Sequence, residues 1–268
     1  MVASVFPLYE FAREVGGAQV EVWLLLPAGV EPHSWEPTPA EMVRLREADL
    51  FMYIGRAMEP WAEEVLRAVG GGEITVMEVM ASADRGGGAG GGPSDPHIWL
   101  DLSQAAAIVE RTGEVLAGLD PQRADLYRGN AARYAVRLRD LDRDYMAGLK
   151  ACSTRILVTG GHAAFGHLAR RYGLTQEPLY GLSPDAEPSP RQLVRVTRLV
   201  REEGVGAVFF EELLNPRLAQ VLSEETGTKL MMLNPGANLT ARQWSAGTTF
   251  LDLMRGNLAS LREGLSCE

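Results

Sequence analysis

Eight short runs rich in β-branched and aromatic residues, with helical patterns in the gaps between them, constrain this chain more than any other feature. In the first half they are VASVFPL (2–8), VEVWLLL (20–26), ADLFMYIG (48–55) and EITVMEV (73–79), bounded by Gly, Pro or Asp. In the second half they are RILVTGG (155–161), EPLYGLS (177–183), GAVFFEE (206–212) and KLMMLN (229–234). Strand, helix, strand at this spacing predicts parallel sheets, so the fold class is α/β in two similar lobes. Helix starts support the alternation. Thr38-Pro39-Ala40-Glu41 reads as a capping box with Pro at the first helical position, which predicts a helix over 39–48. Ser189-Pro190 and Asn215-Pro216 read as N-cap followed by proline in the second half.

Two segments stand outside the alternation. From Asp120-Pro121 to Lys150 there is no further proline, and apolar or aromatic side chains fall at 127, 131, 134, 138, 141, 145 and 149 along one helical stripe. A helix of about thirty residues spans roughly 45 Å. It reads as a rigid strut joining the lobes, with packing on one lobe alone as the other reading. The expected organisation is an N-terminal α/β lobe over 1–119, a linking helix over 120–150 and a C-terminal α/β lobe over 151–268. Residues 81–95 (ASADRGGGAGGGPSD) have too little to bury to offset their ordering entropy, and read as a mobile surface loop. A phosphate-binding loop would need a helix N-terminus next, and PSDPHIW follows instead.

Charge removes further classes. The formal charge is −9, and 24 Arg and two Lys are scattered along the chain, which argues against nucleic acid. The longest apolar run, VEVWLLLPAGV, is broken by Glu and Pro, so no membrane span is expected. The start, MVASVFPLYEF, lacks a basic leader and reads as a strand, consistent with either a cytoplasmic chain or a mature exported one.

The scarce residues narrow the chemistry. There are four His (33, 97, 162, 167) and two Cys (152, 267). His33 and His162 lie just past predicted strands and His97 lies after the fourth strand and its loop, all at the sheet edge where open α/β folds bind ligands. Spacings of 64 and 65 residues exclude a shared helix face, and no HExxH or zinc-ribbon spacing is present. Singly, each is compatible with a hydrogen-bonded loop residue.

The stretches VASVFPLYEFAREVGG, LLPAGVEPHSWEPTPAEMVRLREADLFMYIG with Glu59 and Trp61, DPHIWLD, VTGGHAAFGHLARRYGL, GLSPDAEPSP, VFFEE, SEETG and GTTFLDLMRGNLASLREGL together resemble the metal-binding solute-binding proteins of bacterial ABC transporters. These are the ZnuA-like and TroA-like proteins of cluster A-I, and the resemblance covers essentially the whole chain. It implies two α/β lobes joined by one long helix, with a metal ion in the cleft between them. The matching ligand positions are His33, His97 and His162, and His at the third position favours zinc over manganese. Donor chemistry agrees: imidazole suits Zn²⁺, whereas Mn²⁺ and Mg²⁺ prefer oxygen.

The sequence departs from the family at the fourth donor. Where many members place an Asp, this chain reads LNPGANLTARQW, leaving water, Glu211, Glu212, Asn234 or Asn238 for the position. The loop that is His-rich in many zinc members is GGGAGGG here and carries no imidazole with which to gather metal. His167, five residues past His162, is expected to pack or meet solvent. Cys152 precedes the first strand of the second lobe and Cys267 ends the last helix; a disulfide between them is expected in an oxidising cell envelope.

The resemblance implies an extracytoplasmic, monomeric zinc-binding protein that is not an enzyme and delivers Zn²⁺ to an ABC-type membrane permease. Because imidazole must be deprotonated to ligate, affinity is expected to fall as pH drops through about 6–6.5. Two rivals remain: a manganese- or iron-binding member of the same family, and a zinc hydrolase with a His₃ site and an open position, for which Glu211 would be the base.

Overall fold

The computed structural model of the chain describes residues 1–69, 74–81, 95–182 and 189–268. The expected mobile loop at 81–95 falls almost wholly outside them, as does SPDAEP (183–188). The chain forms two compact units, the first of Met1–Trp99, Ser103–Arg139 and Ala237–Phe250, the second of Leu100–Leu102, Asp140–Gly236 and Leu251–Glu268.

In the first unit, β1 (Val2–Ala3), β2 (Trp23–Leu24), β3 (Leu50–Tyr53) and β4 (Thr75–Glu78) form one parallel sheet in the order β2-β1-β3-β4. Around it lie α1 (Phe6–Gly16), α2 (Pro39–Arg46), α3 (Ala62–Ala68) and α4 (Leu102–Leu119). The first strand is shorter than the 2–8 expected. Pro7 has no N–H to give to a ladder, and β1 is an interior strand paired on both sides; proline is instead placed in the first turn of α1. The start of α2 is as expected, with the Glu41 carboxylate accepting the Thr38 backbone N–H at 2.6 Å. Phe51, Tyr53, Trp61 and Val65 pack into the core beside this sheet.

The second unit repeats the plan with β5 (Ile156–Thr159), α6 (Gly166–Tyr172), β6 (Thr175–Pro178), α7 (Pro190–Glu202), β7 (Ala207–Phe210), α8 (Arg217–Thr226) and β8 (Lys229–Met232), strand order β6-β5-β7-β8, again all parallel. Its second strand lies earlier than the 177–183 expected. Gly173 ends α6 in the left-handed conformation (φ +67°) and the chain turns at once into TQEP, a polar edge strand that carries no β-branched alternation. Ser189 caps α7 through the Gln192 N–H at 3.2 Å. At α8 the cap shifts by one: Asn215 Oδ1 accepts the Arg217 N–H at 3.0 Å and Pro216 stands before the first helical residue. Val158, Val196, Val200, Val208 and Leu222 form the core of this unit.

Between α4 and β5 the chain makes a 3₁₀ turn (Pro121–Arg123) and then α5 (Ala124–Gly148), 25 continuous residues, roughly 37 Å at 1.5 Å per residue. Its N-terminal part belongs to the first unit and the part from Asp140 to the second. All seven stripe residues, Tyr127, Ala131, Tyr134, Leu138, Leu141, Tyr145 and Leu149, are buried. In the first unit the Tyr134 hydroxyl donates to Glu10 Oε1 at 2.6 Å; in the second, the Tyr145 hydroxyl donates to the Met254 carbonyl at 2.5 Å. Arg155 donates to the carbonyls of Leu149, Tyr172 and Gly173, placing a cation at the C-terminal ends of α5 and α6. After α9 (Ala241–Ser245), α10 (Phe250–Gly264) leads to Cys267, which is disulfide-bonded to Cys152.

Candidate metal centre

In the first unit, His33 sits in a 3₁₀ turn (Pro32–Ser34) past β2, its backbone N–H donating to Glu31 Oε1 at 3.0 Å. The loop leading to it is tied down by Asn238 and Leu239 of the same unit. Asn238 Nδ2 donates to the carbonyls of Pro27 and Val30 at 2.7 and 2.8 Å, and the Gly29 N–H donates to the Leu239 carbonyl at 2.7 Å. His97 follows β4 and is 1% exposed. Asp95 Oδ1 accepts both its backbone N–H (3.1 Å) and its ring Nδ1–H (2.9 Å), and the buried Trp99 ring meets it edge-on at 5.5 Å. A carboxylate accepts only, so Asp95 holds the proton on Nδ1 and leaves Nε2 as a lone-pair donor. That Nε2 stands 3.2 Å from Nε2 of His33. A shared proton or a shared cation holds two ring nitrogens this close. Two nitrogens bound to one zinc at 2.0–2.1 Å with tetrahedral angles are about 3.3 Å apart.

In the second unit, His162 follows β5 and is buried. Glu211, directly after β7, repeats the Asp95 arrangement across 49 residues: its Oε1 accepts the His162 backbone N–H and Nδ1–H, each at 2.9 Å. The approach requires glycine at 161, since a Cβ there would lie 1.9 Å from Glu211 Oε1. Strand order reverses between β5 and β7, so the pair occupies the switch point of this sheet. The equivalent point of the first sheet, between β1 and β3, also holds a buried carboxylate. Glu59 accepts from the Ser4 hydroxyl at 2.5 Å and from the backbone N–H groups of Ile54 and Gly55, and burial raises it to about 7.

The remaining candidates are engaged elsewhere. Asn234 Oδ1 accepts the Gly236 N–H and its Nδ2 donates to Glu212 Oε2, while its backbone pairs with the Asn257 side chain. Asn238 clamps the His33 loop, and Glu211 orients His162. His167 is half-buried in the first turn of α6. Sequence reasoning passed over Asp95 although it stands two residues before His97, the spacing at which one carboxylate oxygen reaches both the backbone N–H and Nδ1 of a histidine.

Residues 1–264 match the family model described as "Zinc-uptake complex component A periplasmic". The chain is 32% identical over 284 residues to the zinc-binding protein AdcA of Streptococcus pyogenes serotype M1, covering 98% of this chain and 55% of that protein. It is 33% identical over 278 residues to the high-affinity zinc uptake system protein ZnuA of Bacillus subtilis, covering 99% and 87%. The crystal structure of the Zn(II)-bound ZnuA-like domain of Streptococcus pneumoniae AdcA superposes with a TM-score of 0.84 at 35% identity, over 98% of this chain and 97% of that one. The chain thus spans about half the length of the AdcA proteins and most of ZnuA. With two parallel sheets of the same strand order, a long helix and imidazoles held by carboxylates at their strand ends, the chain belongs to the ZnuA family of zinc-uptake components.

Proposed function

We propose that this protein captures Zn²⁺ outside the cytoplasm and delivers it to an ABC-type membrane importer, acting as a carrier and not as an enzyme. His33, His97 and His162 together hold the ion through their Nε2 atoms, with Asp95 and Glu211 fixing the ring tautomers of the second and third. Water is the proposed fourth donor, because Glu211 Oε1, Glu212 Oε2, Asn234 and Asn238 are bonded to other partners. The observation that carries this reading is the 3.2 Å approach of the His33 and His97 Nε2 atoms, close to the separation of about 3.3 Å between two adjacent tetrahedral zinc ligands. The oxygen-poor donor set disfavours Mn²⁺ and Mg²⁺. Named relatives support the zinc assignment, and no helix among the described residues is long and apolar enough to cross a membrane.

Calorimetric titration of chelator-stripped protein is expected to give one Zn²⁺ per chain, with Mn²⁺ failing to displace it. His97→Ala is expected to lose at least about a hundredfold in affinity, since the ligand and its Asp95 support go together. Unchanged zinc binding in that variant sinks the assignment.

A further inference from the structure

The path of the chain to His33 depends on one buried side chain, that of Asn238. The residue is 2% exposed, and an amide brings two N–H donors and a carbonyl acceptor that need partners in the interior. Both ends are matched. Nδ2 donates to the carbonyls of Pro27 and Val30 at 2.7 and 2.8 Å, and Oδ1 accepts the Leu239 N–H at 2.8 Å. The Leu239 carbonyl in turn accepts the Gly29 N–H at 2.7 Å, while the Val30 N–H closes the turn on the Pro27 carbonyl at 3.2 Å. Gly29 adopts φ +82°, a conformation that L side chains rarely take, and a Cβ there would have nothing within 4 Å.

His33 comes three residues after this turn, and the chain beyond it is anchored as well. Glu31 Oε1 accepts the His33 N–H at 3.0 Å, and Trp35 meets the buried Trp61 edge-on, with ring centroids 5.6 Å apart. A free loop has to be ordered when a ligand arrives, and that entropy is subtracted from affinity. Here hydrogen bonds made on folding have already ordered the segment that carries His33. Aspartate has the shape of asparagine but only accepts, so at 238 it would set a carboxylate against two carbonyl oxygens; alanine would leave both carbonyls unmatched.

We propose that Asn238 is a positioning residue of the metal centre, holding the Pro27–Val30 turn so that the His33 imidazole faces His97 Nε2 before zinc arrives. The inference rests on the zinc-capture reading and adds to it a residue that acts on the ion only through His33.

The test uses the full chain stripped by chelator. Zinc affinity is measured by chelator competition for the wild type, Asn238→Ala, Asn238→Asp and Gly29→Ala, and for Asn238→Ala combined with His33→Ala or with His162→Ala. Hydrogen exchange of the metal-free proteins is followed over Ala28 to His33. Asn238→Ala is expected to lose about tenfold in affinity and to exchange faster over that stretch, and Asn238→Asp to lose at least as much. Gly29→Ala strains the same turn from the exposed side and leaves the buried segment intact, so it carries the test if the Asn238 variants do not fold; a loss of about threefold or more is expected. With His33 already removed, Asn238→Ala is expected to change affinity by less than about twofold, whereas in the His162→Ala background it keeps its full factor. An undiminished effect without His33 makes Asn238 a general support of the unit and overturns the proposal. Tighter zinc binding by Asn238→Asp makes residue 238 a donor and overturns it too. Unchanged affinity in Asn238→Ala and Gly29→Ala overturns positioning and leaves zinc capture standing; a wild type that binds no zinc overturns the capture reading from which positioning follows.

Discussion

Asp95 and Glu211 reach the same arrangement by different routes. Asp95 is two residues from its histidine and needs only a local turn, whereas Glu211 comes from a neighbouring strand and depends on the missing Cβ of Gly161. Each keeps its ring in the Nδ1–H tautomer, so removing the charge should weaken the proposed metal site without dismantling it. Glu211→Gln is expected to lower zinc affinity by about 10–100-fold, measured by competition with a chelator; an unchanged value would show that His162 needs no such support. Glu59 makes a separate prediction about stability. Its folded value of about 7 lies above the ordinary 4.5. The folded chain therefore holds a proton that the unfolded chain has released across that window, and stability contributed by the neutral acid is full below pH 4.5 and lost as pH rises through 7. The span corresponds to about 3 kcal/mol. Glu59→Gln should remove this dependence, so denaturation curves of the two proteins should converge at low pH and separate in favour of the variant at pH 8. Parallel pH profiles would contradict it.

At the level of elements, α5 shows where periodicity is a sufficient guide. Its seven stripe residues are all buried, while Val136 on the opposite face is 52% exposed. Leu138→Ala is expected to cost about 2–5 kcal/mol in urea denaturation and Val136→Ala to stay within about 0.5 kcal/mol; similar losses at both positions would refute the one-sided packing. The strands were less legible for identifiable reasons. At β1 a run of apolar residues concealed that Pro7 cannot serve an interior strand. At β6 the strand is TQEP, recruited by pairing with β5 and not by its own composition. The three histidines stand out as candidates in the sequence because each lies in a short motif after a strand. The Glu211 contact does not, because it depends on β5 and β7 being neighbours in a sheet, which no local pattern encodes.

For the whole molecule, the two sheets share one strand order and each places a buried carboxylate at its switch point, yet among the described residues only that of the second unit holds a histidine. Similar architecture thus carries different chemistry in the two units. The second unit also carries the disulfide between Cys152 and Cys267, separated by 115 residues. On the chain-entropy model, closing a loop of this length stabilises by about 4–5 kcal/mol, so reduction should lower the melting temperature, and a melt unaffected by reductant would show that the bond adds nothing. The same bond makes β5 through α10 a covalent ring. A protease that cuts this ring once at any exposed turn releases no fragment: the cleaved protein keeps its apparent size on a non-reducing gel and separates into two pieces only when thiol is added.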